Sequence, residues 1–200
     1  MKLQLYFGAG ILALLAACSQ KDESIAQKFT IDESKSTVEW KGSAPTHFHK
    51  GSFKVTGAFL TDGSSQLTGG DFSIPIASID NSDLSGPPKT ELLNHLKSPD
   101  FFNLAVYPTA TFRITKIEAF KDPATGANVK VTGNFTLIGQ EHPLQIPAKV
   151  TVTKDRISVE SNFKLNRHVW GMSKYNDPAE TLYILPDIDI TLALQGIPSK

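Results

Sequence analysis

Two hundred residues, 40% of them hydrophobic and 20% charged, are enough for one domain with a full core and exclude a disordered or collagen-like chain. Twenty Lys and Arg balance twenty Asp and Glu, so no net field draws in nucleic acid, and a nucleic-acid partner is disfavoured. A single cysteine excludes an internal disulfide and leaves the domain to stand on its core.

The chain opens with Met1-Lys2 and an apolar run from Leu3 to Ala17, too short for a comfortable membrane span and followed by the one cysteine. Residues 1–17 read as a secretory signal. Leu15-Ala16-Ala17-Cys18 resembles a bacterial lipobox, which implies cleavage before Cys18 and acylation of that residue. Residues 18–27 are then the acylated cysteine and a polar, aperiodic tether, and residues 28–200 the folded domain. Ser19, in place of Asp, points away from retention in the inner membrane, and the run Ser19-Gln20-Lys21-Asp22-Glu23 resembles a surface-export tag. The expected location is the cell envelope, as an outer-membrane lipoprotein that faces the periplasm or is exposed at the surface.

From there the apolar residues alternate. Val38 and Trp40 share one face, as do Phe53, Val55, Gly57 and Phe59, and then Phe72, Ile74 and Ile76, which is the period of half-buried strands. Pro75 cannot donate to a ladder, so its strand should meet an edge, a bulge or an opening there. Residues 80–88 are turn-rich. In 89–97 the period changes: Leu92, Leu93 and Leu96 make one stripe on a short helix, which is marginal alone and needs an apolar body beneath it. Phe101, Phe102, Leu104 and Val106 lead back, and from Tyr107-Pro108 the strands resume, through Ala110 and Phe112, Val129 to Leu137, Leu144 to Val152, Ile157 to Leu165, and Ile188 to Leu194.

About eight long strands in an open sheet would expose long edges, and closure removes them. The expected fold is therefore mostly β, a closed antiparallel eight-stranded lipocalin-like β-barrel with a short helical lid. A barrel of that size is filled by side chains or holds one slender ligand, and periodicity alone does not choose. Gly57, Ala110, Gly133 and Ala148 alternate with large residues on the inward face, which suits either barrel coiling or a channel.

Trp40-Lys41-Gly42, His49-Lys50-Gly51-Ser52-Phe53, HLKSPDFF (95–102), YPTATF (107–112), VTGNFTLIGQEHPLQIP (131–147) and FKLNRHVWGM (163–172) occur in an order that resembles the YceI-like family of secreted bacterial proteins. The resemblance implies a barrel whose apolar tunnel holds a polyisoprenoid, an isoprenoid quinone or another long-chain amphiphile. The expected lining is Trp40, Phe53, Phe72, Ile74, Phe112, Phe135 and Phe163 from strands and Leu92, Leu96 and Phe102 from the lid. Arg167 and Trp170 belong either at the mouth, holding a head group and covering the tail, or to the framework, with Arg167 paired to a carboxylate and Trp170 plugging the barrel end. Asn103, Leu93-Asn94 and Gly86-Pro87-Pro88 depart from the family pattern around the lid and bear on head-group preference.

Other chemistries have less behind them. His47 and His49 share a strand face, but no third ligand has motif spacing, so no metal is expected. Nucleophile elbow, phosphate loop and zinc-protease patterns do not occur, so no catalytic residue or catalytic cofactor is expected and the chain reads as a non-enzyme. The expected partners are a long-chain lipid and, through acylated Cys18, the membrane, with a homodimer left open. A filled barrel acting as a surface interaction or adhesion module through loops 80–88 and 174–186 is the alternative.

Overall fold

The computed structural model describes residues 26–199. The expected signal, Cys18 and most of the tether lie outside the described residues. Eleven strand segments and one α-helix follow in order: β1 (Gln27–Ile31), β2 (Thr37–Ser43), β3 (Phe48–Phe53), β4 (Thr56–Thr61), β5 (Leu67–Pro75), β6 (Asp80–Asn81), α1 (Gly86–Lys97), β7 (Thr109–Ala119), β8 (Val129–Leu137), β9 (Gln140–Thr153), β10 (Arg156–Asn166) and β11 (Asp187–Pro198).

Eight of these close an antiparallel barrel in the order β1, β4, β5, β7, β8, β9, β10, β11 and back to β1. The seam is β1, where Phe29 stands opposite Phe59 on one side and Pro198 on the other and has no exposed surface. Burying a phenylalanine contributes about 1.5–3 kcal/mol, and here it locks closure itself. Alternation places the core as expected: Val38 and Trp40 are buried around exposed Glu39, and Ile157 and Val159 continue the pattern on β10.

The first two long strands are each broken. β1 and β2 are separated by a turn in which the Asp32 carboxylate accepts from the Ser34 N–H and Oγ–H. β3 and β4 part at Lys54-Val55. The sequence pattern shows β2 but not the separate β1, whose five residues are too few to establish a period.

Above these breaks β2 runs beside β11, β3 beside β2, and β6 beside β3. β5 stops at Pro75, a single 3-10 turn follows at Ile76–Ser78, and the Ile76 N–H bonds the Pro108 carbonyl at the foot of β7. β6 and β7 do not pair, so the wall opens next to the proline, as its missing N–H requires.

The lid, α1 with its return at 98–108, sits over that end. It starts at Gly86, three residues before the expected start at Lys89, because Pro87 and Pro88 occupy first-turn positions where an absent N–H costs nothing. His95 and Lys97 lie in its last turn, favourably placed for the helix dipole. Asn103 makes the turn back at φ 46, a conformation asparagine tolerates, and its carbonyl accepts from the N–H groups of both Val106 and Tyr107.

Two of the four small inward residues serve coiling. A Cβ on Gly133 would lie 2.4 Å from the Phe112 ring, and one on Gly57, at φ 128, would lie 2.1 Å from the Asp71 carbonyl oxygen. Ala110 and Ala148 instead line a cavity.

Candidate functional site: an apolar bore with one polar end

The barrel is hollow, with a cavity of about 300 Å³ along its interior. Phe112, Ile114, Phe135, Leu144, Phe163, Ile188, Ile190 and Leu192 belong to its wall and are only half-buried, because their inner sides face open space and not each other. Of the expected lining residues, Trp40, Phe53, Phe72, Ile74, Leu92, Leu96, Phe102, Phe112, Phe135, Phe163 and Arg167 all reach this wall. Trp170 does not.

Trp170 instead sits behind the wall in a 3-10 turn, Arg167–Trp170, that follows β10. It is buried, its ring meets Phe135 and His142 edge-on at 5.4 and 5.7 Å, and its Nε1–H donates to the Phe135 carbonyl at 3.0 Å. It therefore lies beside Phe135 and His142 and outside the cavity lining.

The bore is polar at one end only. Among the described residues, Ser43, His47, His49, His95 and Arg167 are the wall's serine, histidine and arginine side chains, and no Asp, Glu or Lys contributes to it. The β2–β3 hairpin, the C-terminal turn of α1 and the end of β10 carry them. All three lie at the same end: Asn166 stands opposite Asp187, Leu185 donates to the Ser43 carbonyl, and Tyr175, whose carbonyl bonds Arg167, reaches His95 on α1. At the other end are Val159, Ala148, Val131, Phe59 and Leu67.

Three polar ties build the mouth. The first runs through Asp83, whose carboxylate accepts from His49 Nδ1–H at 2.8 Å, the Lys50 N–H at 2.7 Å and the Asn81 amide at 2.8 Å. A carboxylate on Nδ1 makes that nitrogen the donor and leaves Nε2 of neutral His49 as an acceptor. Burial alone pushes the Asp83 carboxyl up, but the three bonds outweigh it and hold its pKa below the ordinary 3.8. A carboxyl with a lower pKa in the folded protein stabilises fully above its unfolded value and loses that contribution as pH falls through the folded one. The expected outcome is a urea midpoint that drops below about pH 3.8, with a smaller drop in Asp83→Asn; an identical acid response in the two proteins would remove Asp83 from the account.

The second tie joins lid to loop. Tyr175 Oη–H donates to Asp100 at 3.3 Å and stands 3.3 Å from His95 Nε2, while its ring stacks on Phe101 at 6.0 Å. Tyr175 holds φ 56, an uncommon conformation for a bulky residue, and so marks a built contact. Burial and the adjacent Asp100 carboxylate raise its pKa.

The third is Arg167, 2% exposed. It stands in the wall at the mouth, as one sequence reading placed it. The other reading, a carboxylate partner, is replaced by backbone. Nε–H donates to the Leu185 carbonyl at 3.4 Å, Nη2 to Tyr175 and Ile184 at 3.3 and 2.9 Å, and Nη1 to Met172. One side chain thereby fastens both ends of loop 171–186. Burial lowers its pKa, and nearby Tyr183 opposes that shift. Among the described residues, no three His, Cys, Asp or Glu side chains gather to hold a metal.

A closed eight-stranded antiparallel barrel with a hollow apolar interior and a helical lid is a lipocalin-like fold. The chain belongs to the YceI-like family, whose domain matches residues 29–196. It is 31% identical over 109 residues to a UPF0312 protein of Pseudomonas aeruginosa and 30% identical over 117 residues to protein YceI of Escherichia coli O6:H1; these matches cover 52% and 56% of each chain. The chain thus spans about half the length of the curated relatives it matches. Among solved structures, Burkholderia cenocepacia BcnA superposes with a TM-score of 0.66 at 21% identity, over 82% of this chain and 98% of that one. A polyisoprenoid binding domain from Saccharophagus degradans implicated in plant cell wall breakdown gives 0.63 at 15% identity, over 86% and 98%. At these identities the structures establish the shared fold.

Proposed function

We propose that this protein is a lipid-anchored carrier or sequestering protein of the cell envelope that holds a long-chain isoprenoid-like amphiphile, a polyprenyl lipid or an isoprenoid quinone, in its bore. The observation that carries this reading is the polarity of the cavity, apolar along its length and hydrogen-bonding at one end, which matches a molecule with one tail and one head. Each methylene buried contributes about 0.8 kcal/mol, so a long tail provides affinity without polar contacts and the mouth is left to select the head. The described relative with a polyisoprenoid-binding domain supports the choice of tail.

The ligand contacts proposed are Trp40, Phe53, Phe72, Ile74, Phe112, Phe135 and Phe163 along the tail, Leu92, Leu96 and Phe102 from the lid, and Arg167 at the head, with Trp170 supporting Phe135 from behind. Acylation of Cys18 would anchor the domain in the outer membrane, facing the periplasm or the surface. β1 begins at the apolar end of the bore, so the tether would leave from the end opposite the mouth. No catalytic step is part of this reading, and the cavity supports it over an interaction module built on a filled barrel.

Native mass spectrometry of the purified protein tests it. A co-purifying species of several hundred daltons, released on unfolding and identified as a prenyl lipid, is the expected result. A protein that stays at its bare mass and takes up none of a panel of prenyl lipids and quinones would overturn it.

A further inference from the structure

Among the described residues six large apolar side chains are exposed, and four of them, Phe48, Val106, Val169 and Leu182, stand on segments at one end of the barrel. Phe48 is on the β2–β3 hairpin opposite Ser43, whose carbonyl accepts from Leu185 of loop 171–186, and Leu182 is on that loop. Val169 is in the 3-10 turn after β10, and Val106 is in the return of the lid. These two flank the β8–β9 turn: a Cβ on Gly139 would lie 2.6 Å from the Tyr107 ring, and one on Gly171 would lie 2.5 Å from Gln140 Nε2. A lone exposed valine or leucine is ordinary. Four of them, gathered on four separate segments around one rim, call for a partner.

None of the four lines the bore, yet each is a short step along the chain from a residue that does. Phe48 follows His47, Val169 lies two residues past Arg167, Leu182 two before Ile184 and Val106 four past Phe102. The exposed side chains therefore border the opening itself. On the neighbouring outer wall, by contrast, the register of β10, β11, β2 and β3 sets out Lys164, Asp189, Glu39 and Lys50, all exposed. β1 begins at the far end of the bore, so the proposed tether would leave the rim uncovered.

The form of the rim selects the partner. A helix or a strand needs a groove, whereas separate tips on four segments suit a surface that moulds itself to them, and a fluid bilayer does so. Charges of both signs accompany the tips: Lys41 Nζ stands 4.6 Å over the Phe48 ring, and loop 171–186 exposes Lys174, Asp177 and Glu180. Apolar insertion, and not attraction to acidic lipids, is then the force that holds the surface. We propose that the rim docks on a phospholipid bilayer, with Phe48, Val106, Val169 and Leu182 entering the boundary between head groups and chains, so that a ligand passes between membrane and bore without crossing water. This goes beyond the carrier reading and rests on it only for what passes through the opening.

Vesicle flotation tests the docking. The chain from residue 18 with Cys18→Ser has neither leader nor acyl group to hold a membrane and keeps all of residues 26–199. Mixed with phosphatidylcholine vesicles, with or without phosphatidylglycerol, it should float in both cases and at raised salt. Val169→Ser with Leu182→Ser should lower the partition coefficient roughly tenfold at unchanged Tm, since binding follows the apolar area inserted. Transfer of a fluorescent prenyl probe from vesicles to the barrel should slow by a similar factor in that variant, while uptake of the same probe diluted from ethanol stays as it was. A natural chain that remains in the buffer, flotation that needs phosphatidylglycerol and vanishes with salt, or equal flotation of the double variant would overturn the inference. So would self-association of a chain that does not float, abolished in the double variant, which would make the rim a contact between copies. Each of these outcomes leaves the carrier reading standing. A barrel that floats but takes the probe from neither vesicles nor ethanol would count against that reading and leave the docking surface in place.

Discussion

Loading the delipidated barrel with a long-chain prenyl ligand at about a hundred times its Kd is expected to raise Tm by roughly 5–10 °C. The linkage contribution at that concentration is about 2.7 kcal/mol, and one kcal/mol moves a domain of this size by about 2–4 °C. A long tail supplies that affinity through the methylene groups it buries against the wall. Filling the space with protein should do the same work permanently. Ile114→Phe with Leu192→Phe, both half-buried wall residues, should reduce lipid loading at least tenfold while the lipid-free Tm holds or rises. Calorimetric melts with and without lipid check both halves, and a double variant that still loads normally would mean that the tail lies elsewhere.

How much of this was legible in the sequence depends on the range of the interaction. Alternation is local, so Val38 and Trp40, or Ile157 and Val159, announce a strand face without knowledge of its partners, and the number of such strands makes closure the economical way to hide their edges. The lid was legible because Leu92, Leu93 and Leu96 break the strand period within a few residues. Hollowness was not, since alternation says that Phe112 and Phe163 point inward but not how far apart the opposite walls stand. Gly133 and Ala148 look alike in sequence, yet Gly133 makes room for the Phe112 ring while Ala148 faces the bore.

The mouth was harder still. Asp83 lies 34 residues from the histidine it orients, and Tyr175 lies 80 residues from His95. Neither pair has a spacing that means anything along the chain. Arg167 and Trp170 share one short motif, and the fold separates them. Arg167 ends β10 in the wall and Trp170 turns behind it, because a 3-10 turn carries the chain out of the sheet between the two. Side-chain type draws attention to both residues, and only the path of the backbone places one in the wall and the other behind it.

Arg167→Met is expected to cost about 3–5 kcal/mol and lower Tm by roughly 6–20 °C, because four buried carbonyls lose their donor. The methionine would match the apolar volume of the stem but leave the carbonyls of Met172, Tyr175, Ile184 and Leu185 without their donors. Each buried orphan acceptor costs about 1–3 kcal/mol. Loop 171–186 should relieve part of that cost by swinging into water, which would also release the Tyr175 bond to Asp100 on the lid. Faster tryptic cleavage after exposed Lys174 would report the swing directly. Arg167→Lys should recover little, because an ammonium donates three bonds from a single point and cannot span two ends of a loop as a planar fork does. A lysine variant with the melting temperature and tryptic resistance of the natural protein would show that charge alone closes the mouth and that the carbonyl cage is incidental.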